Sequence, residues 1–159
     1  ADVGEYFALA QIFYKNKISR ILPNIEEILK KEGLELIFSR EVPTNKKILG
    51  KIALDCAPNI YQLFIKPIEK DFNKEKFDTG LIQARKFIEE IYMDDEILYI
   101  CSMSSKTIVY KGLMLPNAIK DFYIDLNKII FYQHPVMRPQ NFENLKILIQ
   151  IERNNLFLY

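Results

Sequence analysis

Residues 99–126, Y-I-C-S-M-S-S-K-T-I-V-Y-K-G-L-M-L-P-N-A-I-K-D-F-Y-I-D-L, decide how this 159-residue chain is read. The runs 97–103 and 107–113 are rich in β-branched and aromatic residues, which suit the pleated surface of a strand. Ser104, Ser105 and Lys106 form a short polar break between them. The pair therefore predicts an antiparallel hairpin with its turn at 104–106. Gly112 and Pro116 end the second run, and 117–123 predicts one short helix.

Upstream, 5–14 is an apolar run with aromatics and predicts a buried strand, followed by a turn at Lys15-Asn16-Lys17. Ile18, Ile21, Leu22, Ile25, Ile28 and Leu29 recur at helical spacing with charge between them. Pro23 fits a helix that starts near Leu22, and Gly33 fits its C-terminal cap. Residues 34–42 alternate Leu34, Leu36 and Phe38 against Glu35, Ile37 and Ser39, a strand with one face more buried. A short helix over 48–56 stops before Pro58, and 59–66 is a third strand. A longer helix runs from near Asn73 to about Tyr92, with Phe77, Leu81, Ala84, Phe87, Ile88 and Ile91 on one face. Gly80 inside it costs about 1 kcal/mol relative to alanine.

The order is β-α-β-α-β-α-β-β-α. It predicts an α+β fold with a mixed or antiparallel sheet rather than a doubly wound one. The length favours a single domain over 1–159, without repeats, low-complexity tracts or linkers. Apolar residues make up 49% and charged residues 27%, the balance of a globular chain. A net charge of +1 provides no bulk field for nucleic acid or an anionic membrane. The apolar runs fall well short of the roughly 18–20 residues that cross a bilayer. With no signal peptide ahead of Ala1, and with Cys56 and Cys101 read as reduced thiols, the expected location is the cytoplasm.

The segment C-S-M-S-S-K-T-I-V-Y-K-G, with Pro116 and F-Y-I-D-L behind it, closely resembles part of the class II glutamine amidotransferase domain of the glutamate synthase large subunit. Three further stretches are similar to that family. They are E-G-L-E-L-I-F-S-R-E-V-P at 32–43, L-G-K-I-A-L-D-C-A-P-N-I-Y-Q-L-F-I at 49–65, and the strand around 6–13. The resemblance covers 5–126, and 129–159 diverges from it. It implies part of the four-layer αββα sandwich of N-terminal-nucleophile hydrolases. It also implies a parent activity, glutamine hydrolysis to glutamate and ammonia for glutamate biosynthesis.

The family's chemistry belongs to residues that this sequence does not match. Its nucleophile is an N-terminal cysteine whose α-amine is the base, whereas this sequence opens Ala1-Asp2-Val3-Gly4. Its H-x-R-F-S-T-N motif should follow D-L, but the chain here reads N-K-I-I-F-Y-Q-H-P-V-M-R, with His134 and Arg138 at another spacing. No catalytic, cofactor-binding or metal residue carries over, and the family's flavin and iron–sulfur domains lie outside this chain. The expectation is a fragment that is inactive alone, partnered by the rest of a glutamate synthase or by a second copy of itself. The alternative is a non-enzymatic α+β protein-interaction module. Residues 147–151 and 156–159 are apolar enough to help cover an exposed second sheet.

Other reactive side chains read as structural. Cys101 lies in mid-strand and Cys56 ends a short helix, and a free cysteine usually behaves as a small buried hydrophobe. His134, the sole histidine, precedes a proline and reads as a loop residue. Asp94-Asp95-Glu96 could hold a divalent cation but reads as a solvated acidic cluster at a helix-to-strand junction, and two distant cysteines and one histidine show no metal-ligand spacing. Lys15, Lys17 and Arg20, and the pairs Lys30-Lys31 and Lys46-Lys47, do not align with aromatics as a nucleic-acid surface requires. The backbone amides of Ser104 to Thr107 could cup an anion, though an ordinary turn is the simpler reading.

Overall fold

The computed structural model describes residues 7–71, 73–92, 94, 98–112, 114, 116–126 and 146–151. His134, Arg138 and residues 1–4, 95–96 and 156–159, for which the sequence sets expectations, lie outside the described residues.

Strands β1 (Ala8–Tyr14), β2 (Leu34–Glu41), β3 (Asn59–Pro67) and β4 (Leu98–Ser104) form one sheet in the order β2-β3-β1-β4. Every pairing in it is antiparallel. Between the strands lie α1 (Leu22–Lys31), α2 (Lys51–Cys56) and α3 (Lys74–Ile91). β5 (Thr107–Gly112) leads to α4 (Pro116–Phe122), and β6 (Lys146–Ile151) runs parallel beside β5 as a second sheet. The fold is therefore α+β, with the expected element order and an antiparallel principal sheet.

The sheet separates two apolar cores. On one face, Ile12, Leu63, Ile65 and Ile100 meet Ile25 and Leu29 of α1 and Phe77, Leu81, Ala84 and Ile88 of α3. On the other face, Leu9 and Ile60 meet Ile108 and Tyr110 of β5 together with Ile119, Phe122, Tyr123 and Leu126. The described layers thus run helices, sheet, then β5 with α4. Alternation along β1 and β3 supplies both cores, which is why these central strands read as nearly continuous apolar runs.

The hairpin expected over 97–113 is not formed. β4 pairs with β1 and β5 pairs with β6, so the chain leaves one sheet for the other at Ser105 and Lys106. Serine hydroxyls replace the missing ladder bonds. Ser104 Oγ accepts from the backbone N–H of Lys106 (3.0 Å) and Thr107 (3.3 Å), and Ser102 Oγ accepts from Val109 (3.1 Å). β propensity identifies a strand but not its partner. Here burial of Ile108 and Tyr110 across the first sheet outweighs the local pairing.

Two further expectations are corrected by local geometry. The alternation of β2 breaks at a register shift between Leu36 and Phe38. Leu34 and Leu36 face the helices, whereas Phe38 turns to the opposite side, tilted against Phe64 with 55% of its surface exposed. On α3, Phe87 and Ile91 are exposed, and Gly80 joins the buried stripe instead. A Cβ on Gly80 would stand 3.1 Å from the carbonyl oxygen of Glu32, so the glycine allows the helix to approach the turn after α1. That turn contains Gly33 at φ 75°, in the left-handed region. Asn73 caps α3 by accepting from the N–H of Lys76 at 2.7 Å.

Candidate functional site

Four strands place polar side chains side by side across the inner face, beneath β5. The register aligns Arg40 of β2 with Gln62 of β3, Gln62 with Gln11 of β1, and Gln11 with Ser102 of β4. Gln11 and Gln62 are buried, at 0% and 2% exposure. Arg40 donates to Gln62 Oε1 from Nε (2.9 Å) and from Nη2 (2.6 Å). Gln62 Nε2 donates to Gln11 Oε1 at 2.8 Å and to the Tyr110 hydroxyl at 3.3 Å. Burial raises the pKa of the Tyr110 phenol, with the Gln62 hydrogen bond opposing the shift, so it stays neutral.

Asp125 closes the other end of the row, its Oδ2 accepting from Arg40 Nη2 at 2.5 Å. The ion pair joins two stretches singled out in the sequence, 40–43 (R-E-V-P) and 122–126 (F-Y-I-D-L). Backbone contacts reinforce the joint. Asn45 N–H donates to Phe122 O at 2.7 Å, Ile124 N–H donates to Pro43 O at 3.4 Å, and Thr44 bridges Tyr123. The Tyr123 hydroxyl donates to Lys111 O on β5. The segment that follows α4 is thereby fixed to both sheets.

One donor in the row has no acceptor. Gln11 Nε2 is buried and makes no hydrogen bond.

The candidates from the sequence fall elsewhere, and the structure does not bring them together. Cys101 is buried at the register shift between β1 and β4, and burial pushes its thiol up to about 12, against the opposing charges of Lys111 and Arg85. A thiol held this way stays protonated at neutral pH, whereas nucleophilic and metal-binding cysteines react as thiolates. Cys56 is exposed on α2. The amides of Lys106 and Thr107 donate to Ser104 Oγ, and Ser105 Oγ donates to Asp78 on α3 at 2.9 Å, so these groups of the turn have partners within the fold. Asp94 is exposed, and no cluster of three potential metal ligands occurs among the described residues. No helix among them is long and apolar enough to cross a membrane.

The polar row went unread in the sequence, although a signal for it is present. Gln11 and Gln62 each interrupt an apolar strand, A-L-A-Q-I-F-Y and N-I-Y-Q-L-F-I. A glutamine inside a two-sided apolar strand implies a buried partner, but not which one.

The thiols provide a direct check. A thiol reagent at neutral pH is expected to modify Cys56 within minutes and Cys101 only after denaturation. Fast reaction of both in the native protein would contradict the buried, protonated state of Cys101. The same shift sets a pH dependence. Above about 9 the unfolded chain releases the thiol proton while the folded chain keeps it up to about 12. The group's contribution is therefore fully present below pH 9 and declines as pH rises from 9 towards 12, by about 1.4 kcal/mol per pH unit at most. Cys101→Ala is expected to make the decline shallower from pH 9, while the raised phenols of Tyr61 and Tyr110 keep a fall above about 10.

The sequence profile of the class-II glutamine amidotransferases matches residues 2–143. Ferredoxin-dependent glutamate synthase 1 (chloroplastic/mitochondrial) of Arabidopsis thaliana is 41% identical over 110 residues, 67% of this chain and 7% of that protein. Ferredoxin-dependent glutamate synthase of Pyropia yezoensis is 40% identical over 118 residues, 71% of this chain and 7% of that protein. Glutamate synthase [NADH] of Saccharomyces cerevisiae is 30% identical over 144 residues, 84% of this chain and 7% of that protein. The chain thus spans about 7% of the length of these curated relatives.

Proposed function

This chain belongs to the class-II glutamine amidotransferases, and from that premise we propose that it is the structural middle of the amidotransferase domain of a glutamate synthase. The parent reaction would be hydrolysis of glutamine to glutamate, with the ammonia passed on for glutamate synthesis. The observation that carries this reading is the match over residues 2–143, with glutamate synthases at 30% to 41% identity. The helix–sheet–strand layering supports a place within a four-layer αββα sandwich.

In this reading the chain does not hydrolyse glutamine as a separate polypeptide. Its cysteines stand at 56 and 101, within the chain, where neither has a free α-amine to serve as base. Cys101 is further disqualified by its protonated, buried thiol. No H-x-R-F-S-T-N follows Leu126 to bind the glutamine carboxylate. The partner in this reading is the remainder of a glutamate synthase. The apolar exposure of Ile48 (41%), Ile52 (82%) and Leu54 (45%) around α2, a helix with no buried residue, supports such a contact.

Purified chain incubated with glutamine is expected to release ammonia no faster than buffer. Saturable release that disappears in Cys101→Ser would overturn the inactivity. A chimera tests the placement: residues 8–126 of this chain replace the aligned stretch of the Arabidopsis ferredoxin-dependent glutamate synthase. Retained glutamine-dependent activity is expected. A soluble, folded chimera without it would overturn the assignment as an interchangeable structural middle.

A further inference from the structure

The hydrogen bonds of the polar row have a forced direction. Guanidinium is a donor only, so Arg40 requires an oxygen from Gln62. Gln62 must then turn its Nε2 towards Gln11, which answers with Oε1. Gln11 Nε2 is left facing away from Gln62, buried and without an acceptor. Turning the Gln11 amide over would set two N–H groups against each other, so the Arg40–Asp125 pair fixes the sense of the whole row.

Other features of the same spot call for an oxygen. The β1–β4 register shifts between Gln11 and Ile12, which leaves Cys101 as the extra residue between Ile100 and Ser102. A bulge of this kind interrupts the ladder and leaves backbone groups underpaired. Ser102 Oγ, opposite Gln11, accepts one bond from Val109 N–H and can accept another. The Tyr110 hydroxyl accepts from Gln62 Nε2 and has a proton of its own to donate. A buried water is held by about two to four polar partners of this mixed kind.

We propose that the polar groups of Gln11, Ser102 and Tyr110, gathered at the β1–β4 bulge, bind one buried water molecule. The water accepts from Gln11 Nε2 and from the Tyr110 hydroxyl and donates to Ser102 Oγ. It ends the donor chain that starts at Arg40 and ties the first sheet to β5. This site is independent of the proposed amidotransferase role.

The test counts waters. A crystal structure of the full chain, at a resolution that shows ordered solvent, is expected to place one water about 2.7–3.2 Å from Gln11 Nε2. Water-oxygen magnetic relaxation dispersion is expected to report one fewer long-lived water in Gln11→Met than in the parent chain. Tyr110→Phe, which keeps the ring, is expected to shorten that water's residence time several-fold. A parent crystal structure in which Gln11 Nε2 meets a protein oxygen, or no density, overturns the proposal. So does an unchanged water count in a folded Gln11→Met. Should Gln11→Met fail to fold, the parent structure and Tyr110→Phe decide between the same two outcomes.

Discussion

Phe77→Ala is expected to lower the unfolding free energy by about 3–5 kcal/mol, the range for emptying a fully buried phenylalanine site. Phe77 is 0% exposed and lies where α3 meets α1 and the helix-covered face of the sheet. Its neighbours are held by strands on one side and by the close approach at Gly80 on the other, so the cavity has little means of collapsing. Urea denaturation of parent and variant measures the difference. Ile52→Ala on α2 is the control, since Ile52 is 82% exposed and its truncation should fall within about 0.5 kcal/mol of zero. A Phe77→Ala loss no larger than that of the control would mean that the helical layer does not pack as described.

Arg40→Met is expected to cost about 3 kcal/mol, at the low end of the range for breaking a buried pair. The removal leaves the Asp125 carboxylate, 9% exposed, without its counter-charge and deprives Gln62 Oε1 of both donors. The low end applies because the Arg40 side chain is 34% exposed and solvent screens part of the pair. Asp125→Leu should cost less, since the arginine it strands can still reach water. The double variant should recover part of the summed loss, because two apolar groups leave no charge unpaired. Strict additivity by denaturant titration would show that the two side chains do not interact. Since the pair fixes the sense of the polar row, Arg40→Met should also lower the hydrogen-exchange protection of the amides around Ile108 and Tyr110. Unchanged protection of those amides would separate the ion pair from the seating of β5.

The elements themselves were legible in the sequence because their causes are local. Apolar spacing from Ile25 to Leu29, the glycine at 33 and the helix start near Asn73 are set within a few residues, and the structure places α1, its terminus and α3 there. The family was legible as well, because motifs such as C-S-M-S-S-K-T-I-V-Y-K-G survive as contiguous strings. The errors arose where one residue's neighbour is chosen by a distant strand. The shift between Leu36 and Phe38 turned Phe38 to the other face, and no alternation pattern announces a bulge. The serine-rich break at 104–106 looked like a hairpin turn because its composition is that of a turn. Whether it reverses the chain within one sheet or carries it to another depends on which surface receives Ile108 and Tyr110.

The polar row shows the same division at the site. Sequence alone determined that two glutamines interrupt apolar strands, and that an arginine and an aspartate stand in family-like segments. It also determined that the cysteines lie within the chain, away from any free α-amine. Only the tertiary structure decided that Arg40, Gln62 and Gln11 are register neighbours and that Asp125, 85 positions beyond Arg40, closes the row. The physical reason is that side-chain periodicity is a property of one strand, whereas register is a property of pairs. It is set by the sum of burial across both faces of the sheet, which no single segment contains.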